Sequence, residues 1–149
     1  MPQNPPEGTP RLMPYLHYED PAAALEFLTS AFGFEERFKM EGEDGGIMHA
    51  EAQFADAVVM LGTPSGDYKN PKKLGGIPTQ SIYMYVDDVD GHCERARAGG
   101  ATIEREPEDQ FYGDRNYSAV DPEGHLWFFA THVRDVSPEE MQAATSAAT

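Results

Sequence analysis

His49 and Glu51 stand two residues apart in the run Ile47-Met48-His49-Ala50-Glu51-Ala52. In an extended chain that spacing puts both side chains on one face of a strand. A carboxylate beside an imidazole raises its pKa and makes a general base, so the pair is the candidate for acid–base chemistry. The same pattern suits a plain polar pair at the rim of a half-exposed sheet, and spacing does not separate the two. His17, near the end of another extended run, is a candidate donor at a pocket mouth. Arg115 is a candidate anchor for a carboxylate or phosphate, with pairing to Asp114 or another acid as its structural alternative. His125 belongs to a turn, and His92 and His132 receive no role. Cys93 is the only cysteine and falls on the buried side of a helix, with no Cys-His-acid arrangement around it.

These residues need a scaffold. Residues 1–11 carry four prolines and no apolar periodicity, which predicts a disordered arm. Leu12 to Tyr18 is an extended run in which Pro14, lacking a backbone donor, points to an edge strand or a bulge. Asp20-Pro21 supplies a helix cap and a first-position proline; Ala24, Leu25, Leu28, Ala31 and Phe32 follow at helical spacing until Gly33. Strands are expected at about 34–40, 46–54 and 57–61, completing a first module over 12–62. Residues 63–79 are a glycine- and proline-rich connection, either a linker or a lid. A second module over 80–133 then repeats the order: a strand from Ser81 to Val86, a helix at 89–98, and strands at about 101–106, 115–120 and 125–132. Asp121-Pro122-Glu123-Gly124 makes the last tight turn. In the tail, 134–149, Ser137-Pro138-Glu139-Glu140 starts a short helix.

The halves superpose at an offset of 68 residues: Asp20 falls on Asp88, Tyr15 on Tyr83 and Arg37 on Arg105. Two strand–helix–three-strand units of α+β class predict a curved mixed sheet or open barrel around a cleft, with helices outside.

The helix segment Asp20-Pro21-Ala22-Ala23-Ala24-Leu25-Glu26-Phe27-Leu28 leading into Ala31-Phe32-Gly33-Phe34 is similar to that of the vicinal-oxygen-chelate superfamily, the glyoxalase I and bleomycin-resistance fold. So is Tyr112-Gly113-Asp114-Arg115 followed by Asp121-Pro122-Glu123-Gly124-His125-Leu126-Trp127. The resemblance spans about residues 11 to 133 and implies two βαβββ modules. It also implies a divalent metal held by His, Gln or Glu on the first, fourth, fifth and eighth strands. Those positions fall on Met13, Met60, Ser81 and Phe128, none a good ligand for a hard cation, so no metal and no cofactor is expected. The resemblance further implies a twofold homodimer.

Alternation places Met13, Tyr15 and His17 on one strand face, and Ser81, Tyr83 and Tyr85 on its counterpart. Val58, Met60, Leu126 and Phe128 complete that lining, while Trp127 points the other way. Tyrosines and methionines in a cleft suit a drug-sized or aromatic small molecule. With 26 acidic against 11 basic side chains, the net charge is −15; such a field repels nucleic acid and anionic membranes. It draws cationic ligands only weakly, and solubility alone also accounts for it. No membrane span or signal peptide is expected, and one cysteine suits a reducing, cytoplasmic location. The expectation is a metal-free protein that binds a hydrophobic or cationic aromatic compound such as an antibiotic. The alternatives are an enzyme of the same fold, using an unorthodox metal site or His49 or a tyrosine, and a protein-interaction module.

Overall fold

A computed structural model describes residues 2–63 and 66–148, with no account of the side chains at 147 and 148. Residues 64 and 65 of the expected 63–79 connection lie outside that range, as do the two chain ends. The first module runs β1 (Tyr15–His17), α1 (Pro21–Phe32), β2 (Glu35–Glu41), β3 (Ile47–Phe54) and β4 (Ala57–Gly62). The second runs β5 (Ser81–Tyr85), α2 (Val89–Ala98), β6 (Thr102–Asp109), β7 (Asp114–Val120) and β8 (Leu126–His132), followed by α3 (Pro138–Ala148). The class is α+β, built as two βαβββ modules.

Each end of α1 has a local cause. The Asp20 carboxylate accepts from the Ala23 amide, Pro21 occupies the first turn, and Gly33 closes the helix at φ 84°. Asp88 caps α2 in the same way through the Gly91 amide. β1 is shorter than the run of large residues suggests. Pro14 has no N–H to add to the ladder, although its carbonyl still accepts from Met60 N at 2.8 Å. Met13 consequently lies before the strand. The edge position that Pro14 implied is real, since the first sheet has the order β1-β4-β3-β2 and the second β5-β8-β7-β6. In both, the first strand runs parallel to the last.

The two sheets remain open, and among the described residues no strand of one packs appreciably on a strand of the other. What meets instead are the faces that carry α1 and α2. Phe32 and Phe34 of the first module pack on Trp127 and Phe129 of the second, with Phe32–Trp127 centroids 5.3 Å apart. All four are buried in one core shared by both modules. Burying a side chain of this size stabilises by about 2–3 kcal/mol, and these are among the largest in the chain. The helices approach closely because Gly99 has no side chain: a Cβ there would lie 2.5 Å from that of Ala31. Within one chain, then, the sheets do not face each other across a cleft. The helix-bearing faces hold the bulkiest apolar groups, and their burial decides which surfaces meet.

Polar clamps finish the junction. Asp121 accepts from the Tyr18 hydroxyl (2.6 Å) and the Trp127 indole (3.2 Å). Glu123 accepts from the Glu19 and Asp20 amides, at 2.7 and 3.0 Å, where the chain enters α1. The fully buried Asn70 donates to Glu123 and to the His17 carbonyl, which ties the connecting segment to both modules. His92 of α2 joins in through Phe32 O at 2.8 Å and the Tyr117 hydroxyl at 2.6 Å. Burial lowers its pKa, so the neutral ring is the bonded form.

Candidate ligand-binding faces

Each sheet leaves the face away from its helix exposed, and the chemistry-bearing side chains gather there. On the first sheet, register levels Tyr15 with Met60, Met60 with Glu51, and Glu51 with Phe38. One row on, His17 and His49 flank Gly62. A hydrogen-bond chain crosses these rows. Tyr15 OH lies 2.9 Å from His49 Nδ1, His49 Nε2 is 3.2 Å from Glu51, and Arg37 donates to Glu51 at 2.8 Å. Since Glu51 accepts at Nε2, that nitrogen carries the proton of a neutral ring and Nδ1 accepts from the Tyr15 hydroxyl. Gly62 makes the chain possible: a Cβ there would sit 2.6 Å from the Tyr15 oxygen.

Arg37 owes its reach to an irregularity in the ladder between Glu36 and Phe38. The same guanidinium donates to Gly8 O and to Thr9 Oγ1, so residues of the arm, which form no helix or strand, are tied to the sheet here. A recess of about 540 Å³ lies between them, lined by Pro6, Thr9, Met13, Arg37, Phe38 and Glu51. At the other end of β1, His17 Nδ1 is buried with no hydrogen-bond partner among the described residues.

The second face is built around Asp114, whose side chain is only 6% exposed. One of its oxygens accepts from both Tyr83 OH (2.7 Å) and Tyr85 OH (2.9 Å); the other pairs with His132 Nδ1 at 2.8 Å. Asn116 donates to the hydroxyls of Tyr83 and Tyr112, and Arg105 donates to Asn116. Burial alone would push the Asp114 carboxyl up, but the bonds from His132, Tyr83 and Tyr85 outweigh it and the net shift is downward. Burial, with Asp114 adding to it, raises Tyr83. The bond to Asp114 is the main reason that Tyr85 is raised. Both tyrosines therefore stay protonated, with their hydroxyl protons committed to the carboxylate. The contacts with Asp135 and then Asp114 raise His132.

Most residues singled out from alternation do share these two faces, but on separate sheets. Tyr15, His17 and Met60 stand on the first, and Met13 lines its recess. Val58 has the same parity but is buried. Ser81, Tyr83, Tyr85, Leu126 and Phe128 stand on the second, with Ser81 level with Leu126 and Tyr83 with Phe128. His49 and Glu51 join Tyr15, which the spacing did not foresee. Arg115 does not belong. It is level with Thr131, whose hydroxyl accepts from Val89 of α2, and its guanidinium binds Asp90 and Asp109. The odd positions of β7 face the helix, so its partner is not Asp114. Cys93 is buried and its thiol is pushed up to about 11, chiefly by burial, which leaves no nucleophile. Asp114, Asn116 and His132 were missed, although they share parity with Ser118 and Phe128 and alternate with core-facing Tyr117 and Phe129.

The four positions where a metal was implied, Met13, Met60, Ser81 and Phe128, do not converge within the chain: Met60 is on the first sheet with Met13 just before it, and Ser81 and Phe128 are on the second. Two thioethers, a hydroxyl and a phenyl ring do not fit a hard divalent ion. Among the described residues, no group of three or more His, Cys, Asp or Glu is placed to hold one either.

The sequence matches the family model of the glyoxalase/bleomycin resistance protein/dioxygenase superfamily over residues 13–129. The chain belongs to that superfamily. An uncharacterized protein of Mycobacterium tuberculosis, Rv0887c, is 38% identical over 142 residues, covering 92% of this chain and 83% of the relative. Among solved structures, TioX from Micromonospora sp. ML1 is similar with a TM-score of 0.68 and 29% identity, over 83% of this chain and 99% of TioX. The fosfomycin resistance protein FosX from Listeria monocytogenes, solved with Mn(II) and sulfate, shares the fold at a TM-score of 0.60 and 16% identity. That match covers 91% of this chain and 97% of FosX. Membership in the superfamily fixes the architecture, and the side chains on the two faces must supply the rest.

Proposed function

We propose that this superfamily member is a metal-free small-molecule-binding protein that takes a hydrophobic or cationic aromatic compound, such as an antibiotic, against its exposed sheet faces. One observation carries the proposal: two thioethers, a hydroxyl and a phenyl ring stand where the resemblance implies metal ligands, with exposed aromatic side chains on the faces around them. Tyr15, Phe38, Met40, Tyr83 and Tyr85 are between 43% and 59% exposed, a large apolar surface for a single chain to leave in water. A second copy, related by a twofold axis, completes the site by laying its second sheet over the first sheet of its partner. The resulting cleft sets aromatic and thioether surface beside the polar groups of the two networks, a combination of apolar lining and fixed polar groups that suits drug-sized ligands.

The test is a thermal-shift screen of the purified protein against aromatic and amphiphilic antibiotics, with metal analysis and sedimentation velocity on the same sample. Expected are a dimer, no stoichiometric metal, and a raised melting temperature with at least one compound class. A monomer that no compound stabilises would overturn the proposal, and a stoichiometric divalent ion would overturn its metal-free part.

An acid–base enzyme is the alternative that one observation favours, the Tyr15–His49–Glu51 chain. In it Tyr15 exchanges a proton with substrate, His49 Nδ1 takes the hydroxyl proton and Glu51 stabilises the imidazolium. Proton NMR in D2O with enolisable carbonyl compounds separates the two. Deuterium exchange that depends on His49 replaces the binding function with catalysis; the proposed function expects none.

A further inference from the structure

The Tyr83–Tyr85–Asp114 cluster defines a ligand class more narrowly than the binding function on which it rests. We infer that it is a stacking platform for a planar organic cation, centred on the Tyr85 ring.

The hydroxyls argue first. Both tyrosine protons point to a single oxygen of Asp114, so neither is left to donate to a ligand. The Tyr83 oxygen is further occupied by the Asn116 amide at 3.1 Å. What remains outward is ring face and oxygen lone pair, which attract positive charge or N–H donors and offer nothing to an anion. A phenol that donates to a carboxylate also gains electron density in its ring, which deepens the attraction of a cation for its face.

The rings are also held in place before any ligand arrives. Tyr83 stacks on Phe128 at 6.0 Å and 21°, and Tyr85 meets Tyr83 nearly edge-on at 5.8 Å and 71°. With their hydroxyls pinned, they lose little conformational freedom on binding. Both rings are about half exposed and neither belongs to the shared core, so hydrophobic burial does not account for their order. Next to Tyr85 in the ladder comes Ala130, a side chain too small to cover its neighbour.

Positive groups nearby are already matched. His132 is shared between Asp114 and Asp135. Arg105 is bonded to Asn116, and its guanidinium lies 6.0 Å from the Phe128 ring. Arg105 is in the row of Tyr83 and Phe128 rather than that of Tyr85, which places the cation over Tyr85. The net charge of −15 raises the local concentration of such ligands and repels anionic ones.

The experiment compares three planar probes of similar shape by calorimetric titration at low salt and mildly alkaline pH. They are N-methylquinolinium as the cation, quinoline as the neutral ring and naphthoate as the anion. The expected order is cation, then neutral, then anion, with the cation favoured over quinoline on the order of tenfold. Tyr85→Leu and Asp114→Asn should remove that preference, while Tyr85→Phe, which keeps the ring but not the polarised hydroxyl, should retain part of it. If Asp114→Asn fails to fold, the two Tyr85 variants carry the test. Equal affinity for all three probes overturns the cation class and leaves the small-molecule site standing. No binding of any probe, quinoline included, counts against both. A cation preference that survives Tyr85→Leu places the site elsewhere and overturns the inference.

Discussion

The two exposed faces rest on the same backbone plan and carry different chemistry. His49 is level with Gly62 in the first sheet, and Asn116 with Ala130, 68 residues after Gly62, in the second. Arg37 and Arg105, also 68 apart, each reach a polar side chain on the neighbouring strand. Yet the first face strings together a histidine, a glutamate and a tyrosine, groups able to pass a proton. On the second, one buried aspartate holds two tyrosines still. Ladder and register agree between the halves because these depend on backbone hydrogen bonds and on the buried face. The free face is under no such constraint, so its side chains differ.

Predictions that would break or sharpen this contrast begin at the junction beneath both faces. Glu123→Ala leaves two backbone amides and Asn70 without their charged acceptor; it should cost about 3 kcal/mol in urea denaturation, because hydrogen bonds to charged groups are strong. A loss well under that would mean that Glu123 adds little to the junction beyond its apolar packing and the remaining clamps of Asp121 and His92.

Asp114→Asn should cost about 2 kcal/mol and Glu51→Gln about 1 kcal/mol, since the aspartate is the more buried of the two and serves more partners. Equal costs, measured by the same denaturation, would mean the two networks are equally built in.

Titration separates the faces from the junction. His132 is raised from 6.5, so its contribution is fully present below that pH and fades as pH climbs through the higher native value. Asp114 is lowered from 3.8, so its contribution is fully present above that value and is lost as pH falls through the depressed one. The second face is therefore most stable between those limits. His92 runs the other way from His132: burial lowers it, so it stabilises above 6.5 and loses that contribution as pH drops toward its native value. Proton NMR of the histidine rings should find His92 titrating below 6.5 and His132 above it. The reverse order would contradict the arrangement described for both.

The smallest expected effect is that of metal. Excess Mn(II) or Ni(II) should move the melting temperature by less than about 1 °C, since a native state without a site gains nothing by mass action.

Much of this was legible in the chain. Capping residues, apolar spacing and the 68-residue repeat define both modules, because they act over a few neighbouring positions. Alternation located Tyr83, Tyr85 and Phe128 together, and the poor ligands at Met13, Met60, Ser81 and Phe128 could be read directly. Parity within the expected strands at 115–120 and 125–132 also groups Asn116 and His132 with Phe128, while Asp114 lay one residue before the expected start of β7. Arg115, expected at a cleft mouth or paired with an acid, takes the acids Asp90 and Asp109 on the helix-bearing side. Tertiary structure alone decided that the helix-bearing faces meet while the other two stay open. It also decided that Tyr15 reaches His49 across Gly62 and that the turn acid Glu123 caps the entry to a helix, accepting from Asp20 N 103 residues away. Such contacts join residues far apart in sequence, and their energies depend on which apolar surfaces find each other, a competition that no local pattern encodes.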